Sequence, residues 1–310
     1  MKRLLIVLLL LAFISLAAIY IFIPETLHVS KSVYLPTTAK SAVQYLSTSA
    51  YWNSWINTAD DSSGEARNNF TYQYIPDSVL YSEVKVKIKR PGSIYSSRIN
   101  VLPAGKDSVV LSWSAELNVG NSPIERLNQY RAAVHLKKEM TEVLERYNNW
   151  IGKSQNVYGI PVVRGFIQDS VLVTIRTTFN DYPTDKQVYE LLQKLNDHFV
   201  KYGAEQTGYP MLNVTKRPDG IFQVQVAIPI NKDVAETPNI VMKHMVLGYA
   251  LTSEIRGGYF TIENGLKAME QYRVDYDMRS PAIAFQSIIT NRMIETDTTK
   301  WITKLYFPIY

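Results

Sequence analysis

The sequence predicts an α+β protein: an N-terminal transmembrane helix, a domain in which an antiparallel sheet grips a long helix, and a domain built from a duplicated βαββ unit with pseudo-two-fold symmetry. Three observations carry this. Leu4 to Ile23 run without a charge. Between residues 27 and 119 a series of short segments alternates apolar and polar side chains, and a long amphipathic stretch follows. Beyond residue 166 the chain contains a weak internal repeat.

At 310 residues the chain exceeds one average domain, so two folded domains are expected. It is 46% hydrophobic and 20% charged, the balance of a folded protein rather than a disordered one. Lys2 and Arg3 supply two of the five net positive charges, and the rest are dispersed. Without a Lys/Arg block or a helix-turn-helix pattern, nucleic acid is not an expected partner. The chain has no cysteine, which removes disulfides, thiolate metal sites and cysteine nucleophiles. His28, His135, His198 and His244 lie far apart, and none shows metal-ligand spacing. Gly257-Gly258 is a turn element and too little for a phosphate loop. No metal or cofactor is expected.

The charge-free run after Lys2 and Arg3 has the roughly 20 residues that a bilayer core requires of a helix. A cleaved signal has a shorter apolar stretch, roughly 7–15 residues. Ser15-Leu16-Ala17 offers a cleavage site, but the apolar run continues past it. Residues 1–25 are therefore expected to be an uncleaved anchor. Tyr20 suits the interface, and Pro24 ends the helix. The two leading cations place the N-terminus in the cytoplasm and the rest outside. In a bacterial cell that means a single-pass inner-membrane protein whose soluble part faces the periplasm.

The first soluble domain, residues 26–153, opens with an alternating segment (27–36). Short helical stretches follow, the first behind Thr37 and Thr38 as N-caps, and YWNSWINT lies at 51–58. Further strands are expected at 70–76, 82–90, 93–103 and 107–119, with Pro91-Gly92 as a turn. Residues 123–150 form a long helix, with Leu136, Met140, Val143, Leu144 and Tyr147 on one stripe. The sheet offers that stripe the apolar surface it needs. The V-x-x-S-V-Y-L-P at 29–36, W-N-S-W at 52–55 and N-S-P-I-E-R at 121–126 resemble the START/polyketide-cyclase-like (SRPBCC) superfamily. That resemblance implies a helix-grip fold with an apolar, lipid-type cavity between sheet and helix. Trp52 and Trp55 are then either core or a cavity lid.

GKSQNVYGIP, at 152–161, is polar and broken by glycine and proline, so residues 154–165 are expected to be a linker. The repeat follows. Its first half reads strand (169–179), helix (184–203), strand (208–215) and strand (221–230). Its second reads strand (244–255), helix (260–276), strand (280–290) and strand (301–310). Pro210 and Pro281 fall at matching places, as do AIPI (227–230) and YFPI (306–309). Val188, Leu191, Leu192, Leu195 and Phe199 face inward from the first helix, and Phe260, Leu266, Met269 and Tyr272 from the second. Arg217-Pro218-Asp219-Gly220 is a hairpin turn. Ligand sites favour the meeting of such halves.

The repeat, R-G-G-Y-F at 256–260, P-x-x-x-x-Q at 281–286 and D-T-T-K-W-I-T-K-L-Y-F-P-I at 297–309 resemble the gyrase-inhibitor-like effector-binding domain, residues 166–310. Members bind small, often cationic or aromatic molecules in a cleft between the halves. A glutamate on the penultimate strand commonly points into that cleft, and here its place falls on Gln286. A histidine two residues before the first glycine is replaced by Ile255. Within AIAFQSIIT, alternation puts Ala282, Ala284, Gln286 and Ile288 on one face. An amide can donate and accept hydrogen bonds but cannot balance a cation or act as a base. The candidate ligand-binding residues are Gln286, Tyr259, Tyr209, Met211 and Ala284.

The expected function is a non-catalytic, membrane-anchored protein that senses or sequesters a small hydrophobic or aromatic molecule or a lipid. Two alternatives stay open. One is a hydrolase of small electrophiles using Glu254 or Glu263 near Tyr259. The other is a structural interaction module of the envelope with filled pockets.

Overall fold

The computed structural model describes residues 2–57, 70–167, 171–245 and 247–310, and only the backbone of Lys2, Arg3, Leu5 and Ala12. Thr58, Asp169, Ser170 and Val246, which fall within the expected segments, lie outside the described residues. The chain divides into two compact units, 1–153 and 154–310.

The first unit opens with α1 (Lys2–Phe22). At about 1.5 Å per residue a helix of this length is about 31 Å long. Leu4, Ile6, Phe13, Ile21 and Phe22 are exposed on it. Among the residues described with side chains, no helix is long and apolar enough to cross a membrane. Its last turn is fastened to the unit. The Tyr20 hydroxyl donates to the Asn121 carbonyl at 2.7 Å, and Arg126 Nη1 donates to the Ile23 carbonyl at 2.6 Å. The Arg126 guanidinium also lies 4.5 Å from the centre of the Tyr20 ring.

Strands β1 (Thr26–Leu35), β2 (Gln73–Leu80), β3 (Glu83–Arg90), β4 (Ser93–Pro103) and β5 (Val109–Asn118) form an antiparallel sheet in the order β1-β5-β4-β3-β2. Two short helices, α2 (Ala39–Leu46) and α3 (Ser49–Ile56), are capped by the hydroxyls of Thr38 and Thr48. The long helix α4 (Pro123–Ile151) packs on β1 and β5. Its start has a full capping box: Ser122 accepts from the Glu125 N–H while the Glu125 carboxylate accepts from the Ser122 N–H, with Pro123 at the first position.

The expected cavity between sheet and helix is occupied by aromatic side chains. Trp52, Trp55, Trp113 and Tyr147 are almost fully buried there. Trp52 lies 4.7 Å from Trp55 and 6.2 Å from Trp113, and Trp55 lies 4.8 Å from Tyr147, centre to centre. Each indole N–H has its own acceptor, the carbonyls of Leu46 and Tyr45 and the Ser97 hydroxyl. The pair Trp52/Trp55 is thus core and not a lid. Beside the rings Glu139, 5% exposed, accepts from the Thr71 N–H (2.8 Å), the Tyr72 N–H (3.3 Å) and the Tyr74 hydroxyl (3.1 Å).

The second unit begins with α5 (Ser154–Tyr158) and β6 (Val163–Phe166), so the stretch expected to be a linker carries a short helix and most of a strand. The first βαββ half is β7 (Val171–Phe179), α6 (Asp185–Lys201), β8 (Met211–Lys216) and β9 (Phe222–Pro229). A short strand, β10 (Val241–His244), leads into the second half: β11 (Tyr249–Arg256), α7 (Tyr259–Asp275), β12 (Phe285–Ile288) and β13 (Ile302–Pro308). The strand expected at 244–255 thus starts only at Tyr249, His244 being the end of β10, and the strand expected at 280–290 is only 285–288.

All eight strands form one antiparallel sheet in the order β10-β7-β9-β8-β12-β13-β11-β6. The halves mirror each other about the β8–β12 seam. Each lead strand crosses over: β6 precedes the first half but pairs with β11 of the second, and β10 precedes the second but pairs with β7 of the first.

Setting Pro229 against Pro308 matches Met211 with Phe285 and Leu212 with Gln286, because Met211 pairs with Ala227 and Phe285 with Tyr306. Pro210 then corresponds to Ala284, not to Pro281. At the seam Gln286 stands directly opposite its own counterpart, Leu212.

Both helices cover the same sheet face. Leu191, Leu195 and Phe199 of α6 pack on Leu212, Val224 and Val226, while Ile262 and Met269 of α7 pack on Leu251, Ile255 and Leu305. Gly265 lets α7 come this close, since a Cβ there would collide with Ile255 and Leu305. Phe260, expected inside, is 78% exposed at the helix start.

Candidate functional site

The sheet's other face holds a hollow of about 690 Å³. Cross-strand pairing decides what lines it, because paired residues share a face. Leu172 on β7 pairs with Lys243 on β10, Thr174 with Ala227 on β9, and Arg176 with Gln225. On β8, Met211 pairs with Ala227 and Asn213 with Gln225. The result is an apolar floor and a polar end. Leu172, Met211, Ala227 and Phe285 form the buried floor together with Ile167. The Phe285 ring stacks on Tyr306, with centres 4.9 Å apart and planes 6° off parallel. Leu247, Tyr249 and Ile283 stand exposed around the mouth.

At the polar end the Gln225 Oε1 accepts from Arg176 Nη2 and from Lys243 Nζ, both at 3.1 Å. Asn213 donates to the Ala284 carbonyl at 2.7 Å. The Lys243 ammonium is held below the usual lysine range, first by burial and then by the neighbouring Arg176 charge. Among the described residues, no aspartate or glutamate lines the hollow.

Gln286 is on the opposite, helix-covered face and does not point into this hollow. It is 3% exposed, and its Oε1 accepts from Arg292 Nη2 at 3.1 Å. The same Nη2 donates to the Thr303 hydroxyl at 3.1 Å. The Arg292 guanidinium is buried, 5.0 Å from the Trp301 ring centre and 5.6 Å from that of Tyr259. Its Nη1 lies 3.8 Å from the Asp185 carboxylate. Burial, then Asp185, pushes the Tyr259 hydroxyl well above its usual value, so it stays protonated. Arg292 Nε, Arg292 Nη1 and Asp185 Oδ1 are buried without a hydrogen-bond partner. A cation brought beside position 286 would meet a cation already there. Ion, amide and rings fill the seam between α6 and α7.

The candidate residues therefore separate. Met211 lines the hollow. Tyr259 caps the helix side, 5.5 Å from both Tyr182 and Trp301. Ala284 contributes its carbonyl to Asn213 and lies just before β12, while Tyr209 is 55% exposed and outside the lining. Glu263 pairs with Lys267 at 2.7 Å on the exposed side of α7, and Glu254 is exposed on β11. Sequence reasoning did not reach Arg292, Arg176, Lys243 or Gln225. Arg292 sits in a loop with no periodicity to read. The other three meet only through strand register.

No known family profile matches the sequence, and no curated protein does. Among solved structures, the chain is similar to the C-terminal domain of EcmrR, at 17% identity and a TM-score of 0.43, covering 49% of this chain and 98% of that one. It is similar to SAV2435 bound to tetraphenylphosphonium, at 14% identity and a TM-score of 0.33, covering 49% and 94%. It is also similar to a hydrolase from Listeria innocua, at 11% identity and a TM-score of 0.35, covering 47% and 91%. Likeness at this level says nothing of ligand or reaction in this chain.

Proposed function

We propose that the chain is a membrane-tethered binding protein whose second unit holds a small apolar or aromatic molecule in the open-face hollow. The observation that carries this reading is the hollow itself: about 690 Å³, apolar across its floor, with a few convergent polar groups at one end. Ligand sites typically have this size and make-up. Among the described residues the lining offers no nucleophile–base pair, which favours binding over hydrolysis. In the first unit the rings between sheet and helix leave the second unit as the binding domain.

The tether rests on the apolar sequence of α1 and on its last turn, which Tyr20 and Arg126 bind into the first unit. A helix built into the fold at its exit is an anchor rather than a discarded signal. The cations at Lys2 and Arg3 point the soluble part outward, to the periplasm of a bacterial cell.

Two measurements test the reading. Mass spectrometry of the purified full chain should find a small apolar molecule, and Met211→Trp, which fills the floor, should expel it. A bare protein that also fails to take up apolar probes defeats the binding proposal. Membranes washed at high pH should retain the chain, and release into the wash defeats the tether.

A further inference from the structure

We infer that the molecule held in the hollow is an organic anion: an apolar body carrying a carboxylate, seated with its head between Arg176 and Lys243. This rests on the binding function proposed above and goes further by naming the ligand class. It runs against the cation preference that the family resemblance implies.

The geometry points to it in three ways. First, register brings two cations from different strands to one end of the hollow. Arg176 on β7 and Lys243 on β10 converge on the same oxygen, Gln225 Oε1, each at 3.1 Å. A neutral carbonyl oxygen is a weak counterpart for two charges, and it leaves both with N–H groups to spare. Second, among the described residues no aspartate or glutamate side chain lines the hollow. At the rim His244 Nε2 lies 3.3 Å from the Asp233 carboxylate, which is outside the lining. Third, the apolar floor reaches the polar end without a break: Ala227 and Met211 form the next pair on the same face from Gln225 and Asn213, two residues along. A ligand filling this space has its apolar body over Met211, Ala227 and Phe285 and its acceptor at Arg176 and Lys243.

A head group with two oxygens matches the site. One oxygen accepts from the Arg176 guanidinium and the other from the Lys243 ammonium, with Asn213 in the same row. The lowered titration of Lys243, caused first by burial and then by the Arg176 charge, agrees with this arrangement, since a bound anion would offset both.

The experiment uses the full chain in detergent and three probes of one shape: 1-naphthoate, 1-naphthalenemethanol and 1-naphthylmethylammonium. Isothermal titration should rank them in that order, the carboxylate binding at least about tenfold tighter than the alcohol, as a charge-assisted contact provides. Added salt should weaken the carboxylate and leave the alcohol unchanged. Arg176→Gln and Lys243→Gln should each narrow the gap between carboxylate and alcohol several-fold. Met211→Trp should block all three probes. Equal binding of carboxylate and alcohol, or tightest binding by the ammonium, with Met211→Trp still blocking, overturns the anion assignment and leaves the binding site standing. Binding of no probe, or binding that Met211→Trp does not touch, overturns the site and the assignment with it.

Discussion

Arg292 donates through Nη2 to the Gln286 Oε1 at 3.1 Å, inside the seam where Gln286 stands opposite Leu212. Two-fold matching would permit leucine at both positions. The amide is there because a buried guanidinium needs acceptors, and Thr303 alone does not satisfy it. Gln286→Leu should therefore destabilise the second unit by about 1–3 kcal/mol, the usual cost of leaving a buried donor unpaired. Gln286→Glu should retain the fold, since the carboxylate meets a guanidinium. It should not change ligand preference, because the side chain is on the helix face. Urea unfolding and probe titration of both variants check this; a shift of Gln286→Glu towards cations would contradict it.

Glu139 is the polar counterpart in the first unit. Two backbone N–H groups and the Tyr74 hydroxyl converge on it. Burial, then Glu139, raises the Tyr74 hydroxyl far above its usual value, so it remains a donor. Glu139→Ala should cost about 2–4 kcal/mol by stranding these donors together. Glu139→Gln, which keeps one acceptor oxygen, should cost less. The separation between the two urea midpoints is the measurement.

Gly265→Ala tests how closely α7 approaches the sheet. The added methyl collides with Ile255 and Leu305. Overpacking of this kind costs about 1–3 kcal/mol, against the small gain that alanine brings to a helix. The net expectation is a lower melting temperature; an unchanged or higher one would show that the sheet gives way at no cost.

Lys243 should show a conflict between binding and stability. Its folded-state pKa is lowered, so the folded state disfavours the ammonium and binds fewer protons than the unfolded chain. Stability therefore rises as pH climbs from the folded pKa towards the ordinary lysine value near 10.5. Lys243→Met should remove this rise and leave the empty protein as stable as, or slightly more stable than, the parent at neutral pH. Denaturant titrations from pH 7 to 10.5 provide the comparison.

Much of the fold was legible. Alternation located β3 and β4, and SIYSSRINVLP coincides with β4 to the residue. The stripe of α4 and the matching PI endings disclosed the long helix and the duplication. Boundaries were lost where a local signal stopped short. Residues 244–255 read as one strand because a single glycine, Gly248, is a weak break signal in an otherwise apolar run between β10 and β11. The site was less legible than the fold. Alternation separated Phe285 from Gln286, but it does not say which face carries helices. That is decided by α6 and α7 packing together on Leu212 and Leu305. Arg176 and Gln225 meet on neighbouring strands of the first half, but Lys243 joins them only through the crossover of β10. A crossover of this kind leaves no periodic trace in the chain.

That exchange of lead strands also bears on how the protein is made. The Thr252 hydroxyl of β11 donates to the Val163 carbonyl of β6 across 89 residues of sequence. A ribosome releasing this chain delivers β6 long before the edge that receives it. The first half waits with an unpaired strand until β11 emerges. A protein truncated between the halves would carry two open edges into solution, and aggregation rather than a stable half-molecule is its expected fate.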